Sequence, residues 1–159
     1  MPDTKNKPAV LALDVVPAAR RTFYPEPFAS QVQGRTKRKL GDLFGLTQFG
    51  VNLCHIEPGA VSSMRHWHSG EDEFIYLLSG ELTLVTQYGT QILRPGMCAG
   101  FAAGVRDAHQ MKNNSAALAS YIEIGTRAAV DDVEYPDVDL AYAEVDGKPV
   151  YCRKNGTPY

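Results

Sequence analysis

The stretch "RHWHSGEDEF", residues 65–74, sets His66 and His68 one residue apart and follows them with Glu71, Asp72 and Glu73. On a helix the two imidazoles would point to different sides. On a strand, residues i and i+2 share a face, about 6.6 Å apart at Cα. The flanking sequence decides between these. On the N-terminal side, "TQFGVNLCHI" (residues 47–56) puts Phe49, Val51, Leu53 and His55 on one face of an alternating run. On the C-terminal side, "EFIYLL" (residues 73–78) is apolar and β-prone and is closed by Ser79-Gly80. Both neighbours read as strands. His66 and His68 therefore lean the same way and can reach one metal ion.

The same texture continues. "ELTLVT" (81–86) alternates, "QYGTQ" (87–91) reads as a hairpin turn, and "QILR" (91–94) ends at Pro95-Gly96, the pair favoured at the centre of a type II turn. "MCAGF" (97–101), "HQMKN" (109–113) and "ALASYIEIG" (117–125) supply further strands. About eight short strands with turn signals between them predict an all-β sandwich or barrel over residues 46–128. Residues 1–45 read as an N-terminal arm in which "YPEPF" (24–28) breaks any helix, with a short strand expected around residues 10–16. Residues 129–159 read as a polar, turn-rich C-terminal tail packed over the barrel.

Composition bounds the function. Hydrophobic residues make up 44% of the chain and charged residues 21%, as in ordinary soluble globular proteins. A net charge of −2 gives no global attraction to nucleic acid or to an anionic membrane. No apolar run approaches the roughly 20 residues of a membrane-spanning helix. The opening "MPDTKNKPAV" lacks the apolar segment of a signal peptide, so a cytoplasmic location is expected. Cys54, Cys98 and Cys152 are odd in number and widely spaced, which predicts reduced thiols. Cys54 and Cys98 sit among apolar neighbours and are expected in the core. The one basic cluster, "GRTKRK" (34–39), is expected to be a solvated loop. The arm, rich in proline and aromatic residues, either packs on its own barrel or crosses to a second copy, so a homodimer is one of two expected arrangements.

If the turn after His68 reverses the chain, Glu73 lies on the neighbouring strand beside the two imidazoles. Two imidazoles and a carboxylate make a mixed N/O site of the kind divalent transition metals accept. Glu71 and Asp72 fall in the turn, where an acid is ordinarily solvated. His109 opens a late strand and is the natural fourth ligand. His55 reads as a surface or hydrogen-bonded histidine, and Arg65 and Trp67 should point away from the histidines.

These residues resemble the motifs of the cupin superfamily, small jelly-roll β-barrels. Gly59, His66, His68, Glu73 and Gly80 fill the first motif, with one extra residue between Gly59 and His66. Gly96, Gly104, His109 and Asn113 fill the second. There Ala102 replaces the usual proline and two extra residues precede His109. "YPEPF", "LGDLFGLTQFGVNL" and "YIEIGTR…YPDVDL" extend the likeness to small bacterial single-domain cupins labelled sugar-phosphate-isomerase-like.

The resemblance implies a divalent transition metal (Zn, Mn, Fe or Ni) on His66, His68, Glu73 and His109, and a small polar ligand. Such a metal keeps open positions, polarises a carbonyl and acidifies the neighbouring C–H, which is the chemistry of aldose–ketose isomerisation. A dioxygenase or a non-enzymatic small-molecule sensor uses the same barrel. Tyr121 and Glu123 are the candidate catalytic residues if their strand parity faces inward; otherwise Ser120 and Ile122 line the pocket. Arg106 and Arg127 are the cations that could meet a phosphate, since no glycine-rich phosphate loop is present.

Overall fold

A computed structural model describes residues 9–19, 22–145 and 148–159. The signal-peptide reading of residues 1–10 therefore falls almost wholly outside the described residues. The chain is built from strands. An inner sheet has the order β1-β2-β9-β4-β7, formed by Arg35–Lys39 (β1), Phe49–Ile56 (β2), Ala119–Thr126 (β9), Glu73–Ser79 (β4) and Cys98–Phe101 (β7). Facing it is a three-stranded sheet, β6-β5-β8, from Gly89–Leu93 (β6), Leu82–Thr86 (β5) and Gln110–Lys112 (β8). Their inward residues interdigitate: Cys54, Ile75, Leu77 and Tyr121 from the first meet Leu82, Leu84, Leu93 and Met111 from the second. This is the all-β barrel that the alternating sequence predicts, in the jelly-roll form that the cupin resemblance implies.

A third sheet, β12-β11-β10-β3, joins the tail to the histidine strand. It comprises Lys148–Cys152 (β12), Ala141–Val145 (β11), Val133–Glu134 (β10) and Trp67–His68 (β3), with Val133 opposite His68. Arg65 anchors the same junction, its guanidinium donating to both Asp137 oxygens at 2.6 and 2.7 Å. Arm and tail share a second core of Phe28, Val32, Met64, Tyr135 and Leu140. Phe28 lies on the short helix Phe28–Gln31 (α1), and the helix Leu40–Leu43 (α2) links β1 to β2.

Turn chemistry fixes the hairpins. Gly96 takes φ +89°, and the Met97 N–H donates to Arg94 O at 3.0 Å, as a Pro-Gly type II turn requires. Gly80 takes φ +77°, and a Cβ there would sit 2.6 Å from Leu118 O, so only glycine fits this crossing.

Three expectations change. Residues 34–39 are not a solvated loop: Arg35–Lys39 form β1, pairing with β2 from Arg35↔Ile56 to Lys39↔Asn52. Alternation, not charge content, governs them, because the side chains of one parity face a cavity. Residues 10–16 form a short 3₁₀ helix, Ala12–Asp14, rather than a strand. Cys98 is exposed, since its strand parity faces outward opposite Tyr76, whereas Cys54 is fully buried. No helix among the described residues is long and apolar enough to cross a membrane.

Leu77 is fully buried at the centre of the barrel core. Leu77→Ala should therefore lower unfolding free energy by about 2–5 kcal/mol in urea titrations.

Candidate metal centre

Register decides which side chains meet. Across the inner sheet, Gly50, Gly125, Glu73 and Phe101 stand in one row. Asn52, Glu123, Ile75 and Ala99 form the next, and Cys54, Tyr121 and Leu77 the one after. All three rows face inward. Opposite them, His66 bridges to His109, each donating its backbone N–H to the other's carbonyl at 3.2 and 2.8 Å. The bridge carries both imidazoles to the Glu73 end of the barrel.

One ligand atom each of His66, His68 and Glu73 lies within 4.8 Å of the others. Glu73 Oε2 is 3.8 Å from His66 Nε2, 3.7 Å from His68 Nε2 and 2.8 Å from His109 Nε2. Yet this buried oxygen has no well-directed hydrogen bond among the described residues, and neither does His109 Nδ1. Three nitrogens crowd around one carboxylate oxygen without satisfying it. Such a donor set fits a divalent transition metal.

The far side of each ring is fixed. His66 Nδ1–H donates to Met64 O at 2.8 Å, and His68 Nδ1–H to Asp131 Oδ2 at 2.6 Å. Both bonds leave Nε2 with its lone pair facing inward. Asp131 is itself held by the Gly70 N–H at 2.8 Å. The Phe101 ring stacks on His109 at 3.5 Å between centroids, 7° from parallel, and so fixes that imidazole's plane. Burial, opposed by the Glu73 charge, brings His66 from its ordinary 6.5 down to about 4. Burial would raise Glu73, but His109 and the other imidazoles outweigh it and hold the carboxyl at about 2. At neutral pH His66 is therefore a neutral imidazole and Glu73 an ionised carboxylate, the forms that ligate metals.

The site opens into a cavity of about 720 Å³, within the range of small-molecule pockets. Glu123 lines it, accepting from Lys37 Nζ at 2.5 Å and Asn52 Nδ2 at 3.1 Å. Burial would raise the Glu123 carboxyl, but Lys37 and Arg35 hold it below its ordinary value. Tyr121 shares its parity but not its surroundings. It sits one row deeper, fully buried in the core beside Cys54 and outside the cavity lining. Arg127 lines the cavity; Arg106 does not, and lies over the Trp67 ring at 5.6 Å. His55 stands apart, 3.3 Å from Arg38 Nη1.

Several residues of the site were not read from the sequence. Glu71, taken for a solvated turn residue, is partly buried in the cavity wall, and its carboxyl is raised by burial and by Asp131. Asp131 comes from the tail, 63 positions after His68. Tyr24, Tyr135 and Tyr151 meet edge-to-face at 5.8 and 5.3 Å, with Tyr135 5.8 Å from His66. The period-two basic run of β1 was the legible signal among these, since it already marks Arg35, Lys37 and Lys39 as one face.

A small jelly-roll barrel with an inward HxH pair, a glutamate and a third histidine defines a class of proteins, and sequence likeness bears the assignment out: this chain belongs to the cupin superfamily. Residues 52–125 match the cupin domain family (Cupin_2). The crystal structure of a cupin-superfamily sugar phosphate isomerase from Silicibacter pomeroyi superposes with a TM-score of 0.83 at 39% identity, covering 87% of this chain and 88% of that one. A candidate sugar phosphate isomerase from Acidithiobacillus ferrooxidans superposes with a TM-score of 0.70 at 30% identity, over 79% and 80% of the two chains. The polyketide cyclase RemF of Streptomyces resistomycificus shares the fold, with a TM-score of 0.65 at 22% identity over 82% and 85%. No protein of curated function matches the sequence.

Asp131 holds the outer nitrogen of His68, the one turned away from Glu73. Asp131→Ala should weaken zinc binding by about 10- to 100-fold in metal titrations while the far-UV spectrum is unchanged. Acid should destabilise the metal-free protein. His66 keeps its proton off until about 4 although the unfolded imidazole takes one near 6.5. That contribution is complete above 6.5 and is lost as pH falls towards 4. Glu73 adds a second loss between its ordinary 4.5 and about 2. Melting temperatures of metal-free protein should fall steadily below pH 6.5.

Proposed function

We propose that this cupin is a metal-dependent enzyme acting on a small polar molecule, and specifically an aldose–ketose isomerase of sugar phosphates. The observation that carries the reading is the buried Glu73 oxygen left without a directed hydrogen bond among three imidazole nitrogens, at the end of an open cavity. The 39%-identical cupin named as a sugar phosphate isomerase supports the choice of reaction.

His66, His68, Glu73 and His109 would hold a divalent transition metal, which when bound polarises a carbonyl and acidifies the adjacent C–H. The chain's own residues supply the rest. Glu123, one row from Glu73, is the carboxylate that takes the proton from one carbon and returns it to the next, while the hydroxyl proton on the first carbon's oxygen passes to the neighbouring carbonyl oxygen. Lys37 and Asn52 fix its position. The two cations that keep Glu123 ionised also make it a modest base, so proton transfer relies on closeness more than on basicity. Phe101 and Tyr135 flank the imidazoles with rings that limit water access. Tyr121 supports the floor from the core and has no chemical role.

Purified protein should carry about one transition metal per chain by elemental analysis, and His66→Ala should lose it. Metal-loaded protein should interconvert at least one aldose–ketose phosphate pair, with solvent deuterium entering the product. Glu123→Gln should lower kcat by about 10²- to 10⁴-fold with metal content retained. No turnover across a panel of triose to hexose phosphates would overturn the isomerase reading.

A further inference from the structure

One wall of the cavity is strand β1, the edge of the five-stranded sheet opposite β7. Arg35, Lys37 and Lys39 alternate along it and all line the cavity, and Arg127, just after β9, joins them. On this wall four cations meet two carboxylates. Lys37 Nζ lies 2.5 Å from Glu123, whose charge Arg35 also faces. Lys39 Nζ lies 3.5 Å from one Asp42 oxygen, and Arg127 Nη2 bonds the other. Each of these two carboxylates is shared by two cations, so in these pairs the cations outnumber the carboxylates.

The opposite end has the reverse balance. Glu71, Glu73 and Asp131 gather there around the histidines. Gly50 and Gly125 stand beside Glu73 in its row and contribute no side chain to the floor, with the Arg127 guanidinium lying over Gly50. Strands β1 and β4 are three strand intervals apart in the sheet, roughly 14 Å. Lysine and arginine side chains cover part of that span, which leaves room for a ligand a few carbons long between them and Glu73. Lys37 sits deeper, with 28% of its side chain exposed, whereas Lys39 and Arg127 stand at the mouth with 56% and 42% exposed.

We propose that Arg35, Lys37, Lys39 and Arg127 form the subsite for a doubly charged phosphate ester group, the end of the ligand remote from the metal centre. Guanidinium and ammonium donors gathered on one cavity wall are the groups that bind phosphate oxygens. The inference rests on the sugar-phosphate reading for the other end of the ligand, and adds to it the residues that hold the phosphate.

Inorganic phosphate is the probe, titrated by calorimetry into metal-free protein at constant ionic strength, with chloride as the control anion. Wild-type protein should bind one phosphate per chain. Lys39→Gln and Arg127→Gln, each at the exposed mouth, should bind it about tenfold more weakly. Their zinc affinity should equal that of wild type, which also shows that they fold. Lys37→Gln should weaken phosphate further. Absence of phosphate binding to wild type, or equal binding by the mouth variants, overturns the subsite even if the protein carries metal and turns over a sugar. Phosphate binding lost in the variants, with no turnover of any sugar phosphate, keeps the subsite and sinks the isomerase reading.

Discussion

A carboxylate held inside a barrel must be met by positive charge or by directed hydrogen bonds, because leaving it ionised and unpaired costs several kcal/mol. Glu73 is that carboxylate, and the rest of the site follows from where its strand puts it. Pairing of β4 with β9 sets Glu73 opposite Gly125, and pairing with β7 sets it opposite Phe101. Shifted by one residue, β4 would turn Phe74 inward and Glu73 out. The apolar parity of the same strand prevents this: Ile75 and Leu77 are buried in the core, while Phe74, Tyr76 and Leu78 are exposed. The core that holds the fold together is thus also what aims the carboxylate at the imidazoles.

The imidazoles are aimed from the other side, by groups far away in sequence. Met64 O and Asp131 each take the outer N–H of a histidine ring, and Phe101 pins the plane of a third. Asp131 is delivered by the tail, whose strand β10 pairs directly with the histidine strand. Arg65 ties the same two segments together through Asp137. The tail is therefore part of the site, and its second core with the arm keeps Tyr135 beside His66.

This division explains what could be read in the sequence. Strand alternation, the Pro95-Gly96 turn and the close spacing of His66, His68 and Glu73 are local, so the barrel and the three nearest donors were legible. Alternation also made the inward set on β9 one of two parities, and the buried Tyr121 with the cavity-lining Glu123 settles which. It could not distinguish their depths, since that depends on rows formed by other strands. The partnership of Asp131 with His68 depends on a pairing of two-residue strands with no local signature. β1 failed for a different reason. Its charge suggested solvent, and charge content outweighed a period-two pattern that in fact places three cations on one face.

The two ends of the cavity impose opposite demands that one short floor reconciles. Carboxylates gathered at the histidine end favour bound cations, and cations gathered on β1 favour bound anions. Were the two sets adjacent, they would neutralise each other in salt bridges and leave nothing for a ligand. The intervening row holds glycines at positions 50 and 125, and a Cβ at Gly50 would stand 3.8 Å from the Arg127 guanidinium. Side chains there would fill the gap through which the ends remain apart. Glu123 lies in the next row with Asn52, and Lys37 holds it on the cationic side. The separation of charge along the cavity is therefore a property of the sheet register and the two glycines, and under the proposed subsite it would orient a phosphate ester with its anionic group towards β1 and its neutral oxygens towards the imidazoles.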